Sequence, residues 1–74
     1  KVWPNPFAHA LELHLPGTGK AGLELFDPQG RRVASWNMTG SGTVALTMPD
    51  LPSGVFLLVC QQNGVVWRDP VMRE

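Results

Sequence analysis

The chain has little cysteine: Cys60 is the only one in 74 residues. An intramolecular disulfide cannot form, and neither can a cysteine-based metal site. A single thiol excludes a disulfide scaffold but leaves the compartment open. Charge is sparse and balanced, with six Lys and Arg against six Asp and Glu and a formal net charge of zero. That excludes the basic footprint with which a nucleic-acid binder neutralises phosphates. It equally excludes a polybasic membrane-surface segment. The longest unbroken apolar run, Val55 to Cys60, has six residues, far short of the ~20 that span a bilayer as a helix. No segment has a 3.6-residue apolar period, no internal repeat is evident and no stretch is of low complexity. There is no initiator Met and no charged-then-apolar leader. We therefore read the chain as a piece cut from a longer protein, with any leader upstream.

What is present is one small domain over 1–74, an extended lead-in (1–8) followed by a β-sandwich (9–74). An apolar fraction of 43% is that of an ordinary globular domain and argues against disorder. Pro4 and Pro6 keep the lead-in extended, with Trp3 and Phe7 as anchors. Ala10 to Leu15 alternates, placing Leu11, Leu13 and Leu15 on one face, the period of a half-buried strand. Ala21–Phe26 and Arg31–Trp36 flank Asp27-Pro28-Gln29-Gly30, whose Pro at the second position and Gly at the fourth suit a type I turn. Asn37 to Gly42 reads as loop. Thr43 to Met48 alternates again. Leu51-Pro52-Ser53-Gly54 leads into the apolar run, which is β-branched, aromatic and bounded by turn residues, the signature of a central strand. Asn63-Gly64 signals a hairpin, and Val65 to Asp69 returns from it. Pro70 makes its continuation, Val71 to Arg73, an edge or a bulge. Six or seven short strands with turn signals roughly every ten residues and no helix predict an all-β sandwich.

The candidate chemistry is thin. Gly17-Thr18-Gly19-Lys20 resembles the end of a phosphate loop, but the pattern needs Gly and Ser or Thr where His14 and Ala21 stand, and a strand follows instead of a helix. It reads as a surface turn. His9 and His14 have no partners at ligand spacing. Cys60 shares the parity of Phe56 and Leu58 and reads as a small core residue. Asn37-Met38-Thr39 matches a glycosylation acceptor pattern and reads as loop. The scattered carboxylates give no acid/base pair. No catalytic, cofactor or metal site is expected, and no enzymatic activity. Trp3, Trp36 and Trp67 could form a sugar-stacking platform, with core or edge packing as the plainer reading.

The apolar run itself resists a plain reading. If Phe56, Leu58 and Cys60 face the interior, then Val55, Leu57 and Val59 face outward. Outward apolar patches mark interaction sites, so these three are a candidate docking face.

Three motifs in order resemble the C-terminal sorting domain (type A) of the type IX (Por) secretion system. Trp3-Pro4-Asn5-Pro6-Phe7 is similar to the family's opening aromatic-Pro-Asn-Pro segment before a Leu-alternating strand. Leu25-Phe26-Asp27-Pro28-Gln29-Gly30-Arg31 resembles its aromatic-Asp-x-x-Gly-Lys/Arg turn. Leu51-Pro52-Ser53-Gly54-Val55-Phe56 resembles its Leu-x-x-Gly-x-Tyr motif. Phe56 stands where Tyr is usual. Asp69-Pro70 precedes Val71-Met72 where the family often carries Lys, and Arg68 and Arg73 supply the terminal basic charge.

The resemblance implies a small immunoglobulin-like antiparallel β-sandwich of about seven strands, serving as an address for an N-terminal cargo domain in cis. The cargo would pass through the periplasm, be recognised at the outer-membrane type IX translocon, and end at the cell surface or be secreted. In many members a sortase-like peptidase then removes the domain. The motif and recognition candidates it implies are Pro4, Asn5, Pro6, Asp27, Gly30, Arg31, Leu51, Gly54, Phe56, Leu58, Val71 and Arg73. No cofactor and no nucleic acid enter this reading. The alternatives are a fibronectin-like module binding polysaccharide or a protein partner, and a domain that forms a weak homodimer through Val55, Leu57 and Val59.

Overall fold

The computed structural model describes residues 2–3 and 6–74. Alternating side chains and turn residues produce seven strands: β1 (Val2–Trp3), β2 (Ala10–His14), β3 (Gly19–Phe26), β4 (Arg32–Gly40), β5 (Thr43–Thr47), β6 (Gly54–Gln62) and β7 (Val65–Arg73). They form two antiparallel sheets, β1-β2-β5 and β4-β3-β6-β7. The expected immunoglobulin-like sandwich is the observed architecture. The apolar run lies in the middle of the larger sheet, between β3 and β7.

The core lies where the inward parities meet. Leu11, Leu13, Leu15, Leu46 and Met48 come from the side of the smaller sheet. Ala21, Leu23 and Leu25 of β3, Phe56, Leu58 and Cys60 of β6, and Val71 of β7 face them. Burying a Leu or Phe side chain contributes about 1.5–3 kcal/mol, so this cluster is the main term holding the sheets together. Trp36, Met38 and Trp67 pack half-buried at its margin.

The turns follow their sequences. Asn63 and Gly64 have φ of 51° and 76°, the paired positive angles of a type I′ hairpin. In the β3–β4 turn Gly30 donates to the Asp27 carbonyl at 2.9 Å, closing a type I turn, and then adopts φ 85°. Val33 is an extra residue in β4, because Leu25 pairs with Ala34 and Phe26 with Arg32.

One expectation needs correction. Asn37–Gly40 is strand, not loop, because Gly19–Gly22 of β3 pairs with it residue for residue. The expected edge is found: β7 runs through Pro70 to Arg73 at the margin of the larger sheet, in unbroken register with β6. A proline is tolerated there because β7 is an edge strand. Phe7 finishes that edge: its N–H donates to the Met72 carbonyl at 2.7 Å, and its carbonyl accepts from the Glu74 N–H at 2.8 Å. The Phe7 side chain is fully buried.

Gln62 is the one buried polar residue among those described. It continues the inward parity of Phe56, Leu58 and Cys60 at the end of the sandwich. Its Oε1 accepts from the Gly17 N–H at 2.8 Å, and its Nε2 donates to the carbonyls of Gly19 and Gly40 at 3.0 and 3.1 Å. One amide thus ties the β2–β3 turn and the end of β4 to the central strand. The Asn63 amide adds a bond to the Thr18 carbonyl.

Candidate functional site

Residues paired across a ladder share a face, so the register builds the outer surface of the larger sheet row by row. Phe26, Leu57 and Pro70 form one row. Glu24, Val59 and Arg68 form the next, and Val55 and Met72 lie beyond Leu57 and Pro70. Of the large hydrophobic side chains exposed among the described residues, all but Trp3 lie on β6 or β7. Val55 is 49% exposed and Met72 48%, so the two strands are not covered on this side by the described residues. The surface is concave: a shallow groove of about 680 Å³ is floored by Phe26, Val55, Leu57, Val59 and Pro70. Arg68 and Glu24 also line it, as do Asp27, Pro28 and Gly30 of the β3–β4 turn. Val55, Leu57 and Val59 thus lie beside the Asp27 turn, a juxtaposition that strand parity alone does not give.

The Asp27 turn is built by its carboxylate. Oδ1 accepts from the N–H groups of Gln29 at 3.0 Å and Arg31 at 2.9 Å, and Oδ2 accepts from Arg31 Nε at 3.0 Å. The Arg31 backbone N–H, with the Arg31 guanidinium and the Gln29 N–H, holds the Asp27 carboxyl below its ordinary pKa. Arg32 pairs with Glu24 at 3.0 Å on the same side of the sheet. These charges satisfy one another and leave the groove floor apolar.

The remaining candidates separate by role. Phe56, Leu58 and Val71 are core residues, and Leu51 packs half-buried against them. Gly54 opens β6 with φ 149°, opposite Arg73. Arg73 ends β7 half-buried, bridged to Phe7, with its guanidinium donating to the Glu74 carbonyl at 2.7 Å. Ser53 Oγ donates to the same carbonyl at 2.8 Å. Pro6 is exposed near Val55, Pro70 and Met72. Pro4 and Asn5 lie outside the described residues. Much of the Leu51–Phe56 motif is therefore structural, and its outward member, Val55, reaches the groove.

The other candidates do not converge. Among the described residues no group of three His, Cys, Asp or Glu could hold a metal ion. In the phosphate-loop fragment the Gly17 N–H is already bonded to Gln62. Cys60 is fully buried, and that burial pushes its thiol pKa up, away from the nucleophilic thiolate. Trp36 and Trp67 share one inner row through Leu23 and Cys60, whereas Trp3 pairs with Glu12 on the other sheet. The three tryptophans form no common platform. Phe26 and Pro70 complete the groove, Met72 extends the apolar face beyond it, and none of the three was among the sequence candidates. The outward parity of β3 and β7 was the available signal for them.

No curated protein matches the chain. A family model described as the secretion system C-terminal sorting domain matches residues 1–71. That match covers all three motifs, the Asp27 turn, β6 and all but the last two residues of β7. The chain belongs to the C-terminal sorting domains of the type IX (Por) secretion system.

Proposed function

We propose that the outer-membrane type IX translocon recognises this sorting signal through the outer face of β6 and β7, with Leu57 at its centre and the Asp27 turn at its rim. The observation that carries this reading is the continuous apolar surface of Phe26, Val55, Leu57, Val59 and Pro70 on a domain with no net charge. Exposed apolar surface of this kind is costly in water and is retained where a partner covers it. The domain's family marks proteins for export to the cell surface or for secretion, and is not itself enzymatic.

In this reading the cargo precedes the domain and crosses the periplasm before the translocon engages the groove. A sortase-like peptidase then separates cargo from signal on the N-terminal side. The test fuses residues 1–74 to a periplasmic reporter in a type IX-competent host. The fusion is expected at the cell surface. Leu57→Glu is expected to leave the fold intact and hold the reporter in the periplasm. Periplasmic retention of the folded, unaltered fusion overturns the sorting reading for this chain. Surface delivery of a folded Leu57→Glu variant overturns the choice of face alone.

A further inference from the structure

The edges of the sandwich are finished unequally. β7 carries Arg68, Asp69 and Pro70, and its end is bonded to Phe7. β1 has two residues, and β5 has five and is followed by Met48-Pro49. These are the usual protections of an edge strand: shortness, charge, proline or a covering segment. β4 has nine residues, and past its Val33 bulge it runs from Ala34 to Gly40 with no charge and no proline. Alternate residues of that run turn their N–H and C=O groups away from β3. Ser35, Asn37 and Thr39 are exposed on its outer side, and Trp36 and Met38 are half-buried on its inner side.

We propose that this edge pairs with β4 of a second copy of the chain, antiparallel about a two-fold axis at Asn37. The two larger sheets then join into one of eight strands. A second copy fits because the strand is self-complementary. Asn37 is the midpoint of Ala34–Gly40, and pairing about it sets Ser35 against Thr39 and Trp36 against Met38 of the other copy. Small hydroxyl pairs and a thioether against an aromatic ring are favourable neighbours. Arg31 and Arg32 fall outside the paired run, and zero net charge leaves no long-range repulsion between copies. The two-fold uses both free edges and closes at two. Strand pairing alone covers less than the ~1,200 Å² of a stable interface, so the dimer is a weak one. The inference does not rest on the sorting role, and it leaves the β6–β7 face open.

Sedimentation and amide NMR of the chain, from micromolar to millimolar concentration, test it. A concentration-dependent dimer is expected, with amide protection appearing at alternate positions of Ala34–Gly40. Asn37→Lys and Asn37→Asp, each checked for native amide dispersion, are expected to weaken it about tenfold or more through like charges facing across the axis. Mixing the two variants is expected to restore association. A monomer at millimolar concentration overturns the proposal. So does a dimer whose protected amides lie elsewhere, or one lost in Leu57→Glu and kept in both Asn37 variants.

Discussion

Replacing Gln62 by Leu is expected to destabilise the domain by about 3 kcal/mol, at about 1 kcal/mol for each of three hydrogen bonds. The substitution keeps a side chain of similar size in a site that is 1% exposed, so a cavity contributes little. It removes both bonds from Nε2, at 3.0 and 3.1 Å, and the one to Oε1, at 2.8 Å. The backbone partners stay, and the Gly17 N–H and the Gly19 and Gly40 carbonyls lose the Gln62 amide at half-buried positions. A domain of this length has roughly 4–11 kcal/mol of stability in all, by the per-residue rule. Urea unfolding followed by Trp36 and Trp67 fluorescence measures the change. With a slope of about 1 kcal/mol per molar, the midpoint falls by about 3 M. A loss below about 0.5 kcal/mol refutes the account, because the amide would then be a bystander. Gln62→Glu refines the test. A carboxylate there faces two carbonyls, whereas the protonated acid donates to one of them. The folded pKa is therefore raised above the unfolded value of about 4.3. Relative to the unaltered chain, the variant's penalty is smallest below that pH and grows as pH rises through the folded pKa.

Gly54→Val is expected to lower the melting temperature. Its φ of 149° disfavours an L side chain although an added Cβ meets nothing within 4 Å. A conformational cost of about 1–2 kcal/mol corresponds to several degrees in a domain of this size, and an unchanged transition contradicts that. Asp27→Asn is expected to flatten the acid limb of the stability–pH curve. The carboxylate's contribution is present above the unfolded carboxylate pKa of about 3.9 and is lost as pH falls through the lower folded value. Parallel titrations of variant and unaltered chain by circular dichroism decide the matter. Cys60 is expected to resist thiol reagents while the domain is folded and to react in urea at the rate set by unfolding. Fast labelling in native buffer contradicts its place in the core.

The parts legible in the sequence were those set by local periodicity. Leu11, Leu13 and Leu15 announced β2, and Asn63-Gly64 announced a hairpin whose positive φ angles follow from the two residue types. Asp27 and Gly30 announced a turn whose carboxylate and αL glycine are both in use. The misreading of Asn37–Gly40 has a different source. Asn and Gly have weak strand preference on their own, and these residues are strand because β3 lies beside them in register. That pairing is non-local and leaves no mark in the segment. Gln62 escaped for a related reason. Once β6 is carried past Cys60, the alternation of Phe56, Leu58 and Cys60 points its side chain inward, but nothing local says that the strand continues. The groove needed three strands in register, so Phe26 and Pro70 could join Leu57 only after β3 and β7 were placed on either side of β6.

In the reading proposed above, β6 separates stability from recognition in a very small domain. Phe56, Leu58, Cys60 and Gln62 point inward and are buried, whereas Val55 and Leu57 point outward and are exposed. A pleated strand keeps the two sets on opposite sides of one backbone. An inward change such as Leu58→Ala costs about 2–5 kcal/mol, a large share of what a 74-residue chain has. An outward change at Leu57 falls on the solvent side of the sheet, leaves the inward set packed and is expected to leave the fold standing. The Leu51–Phe56 motif straddles this divide: Gly54 sets the path into the strand, Phe56 anchors it in the core, and Val55 between them is presented to solvent. In that reading the motif serves as an address only while the domain is folded, since the face it displays exists only when the inward set is packed.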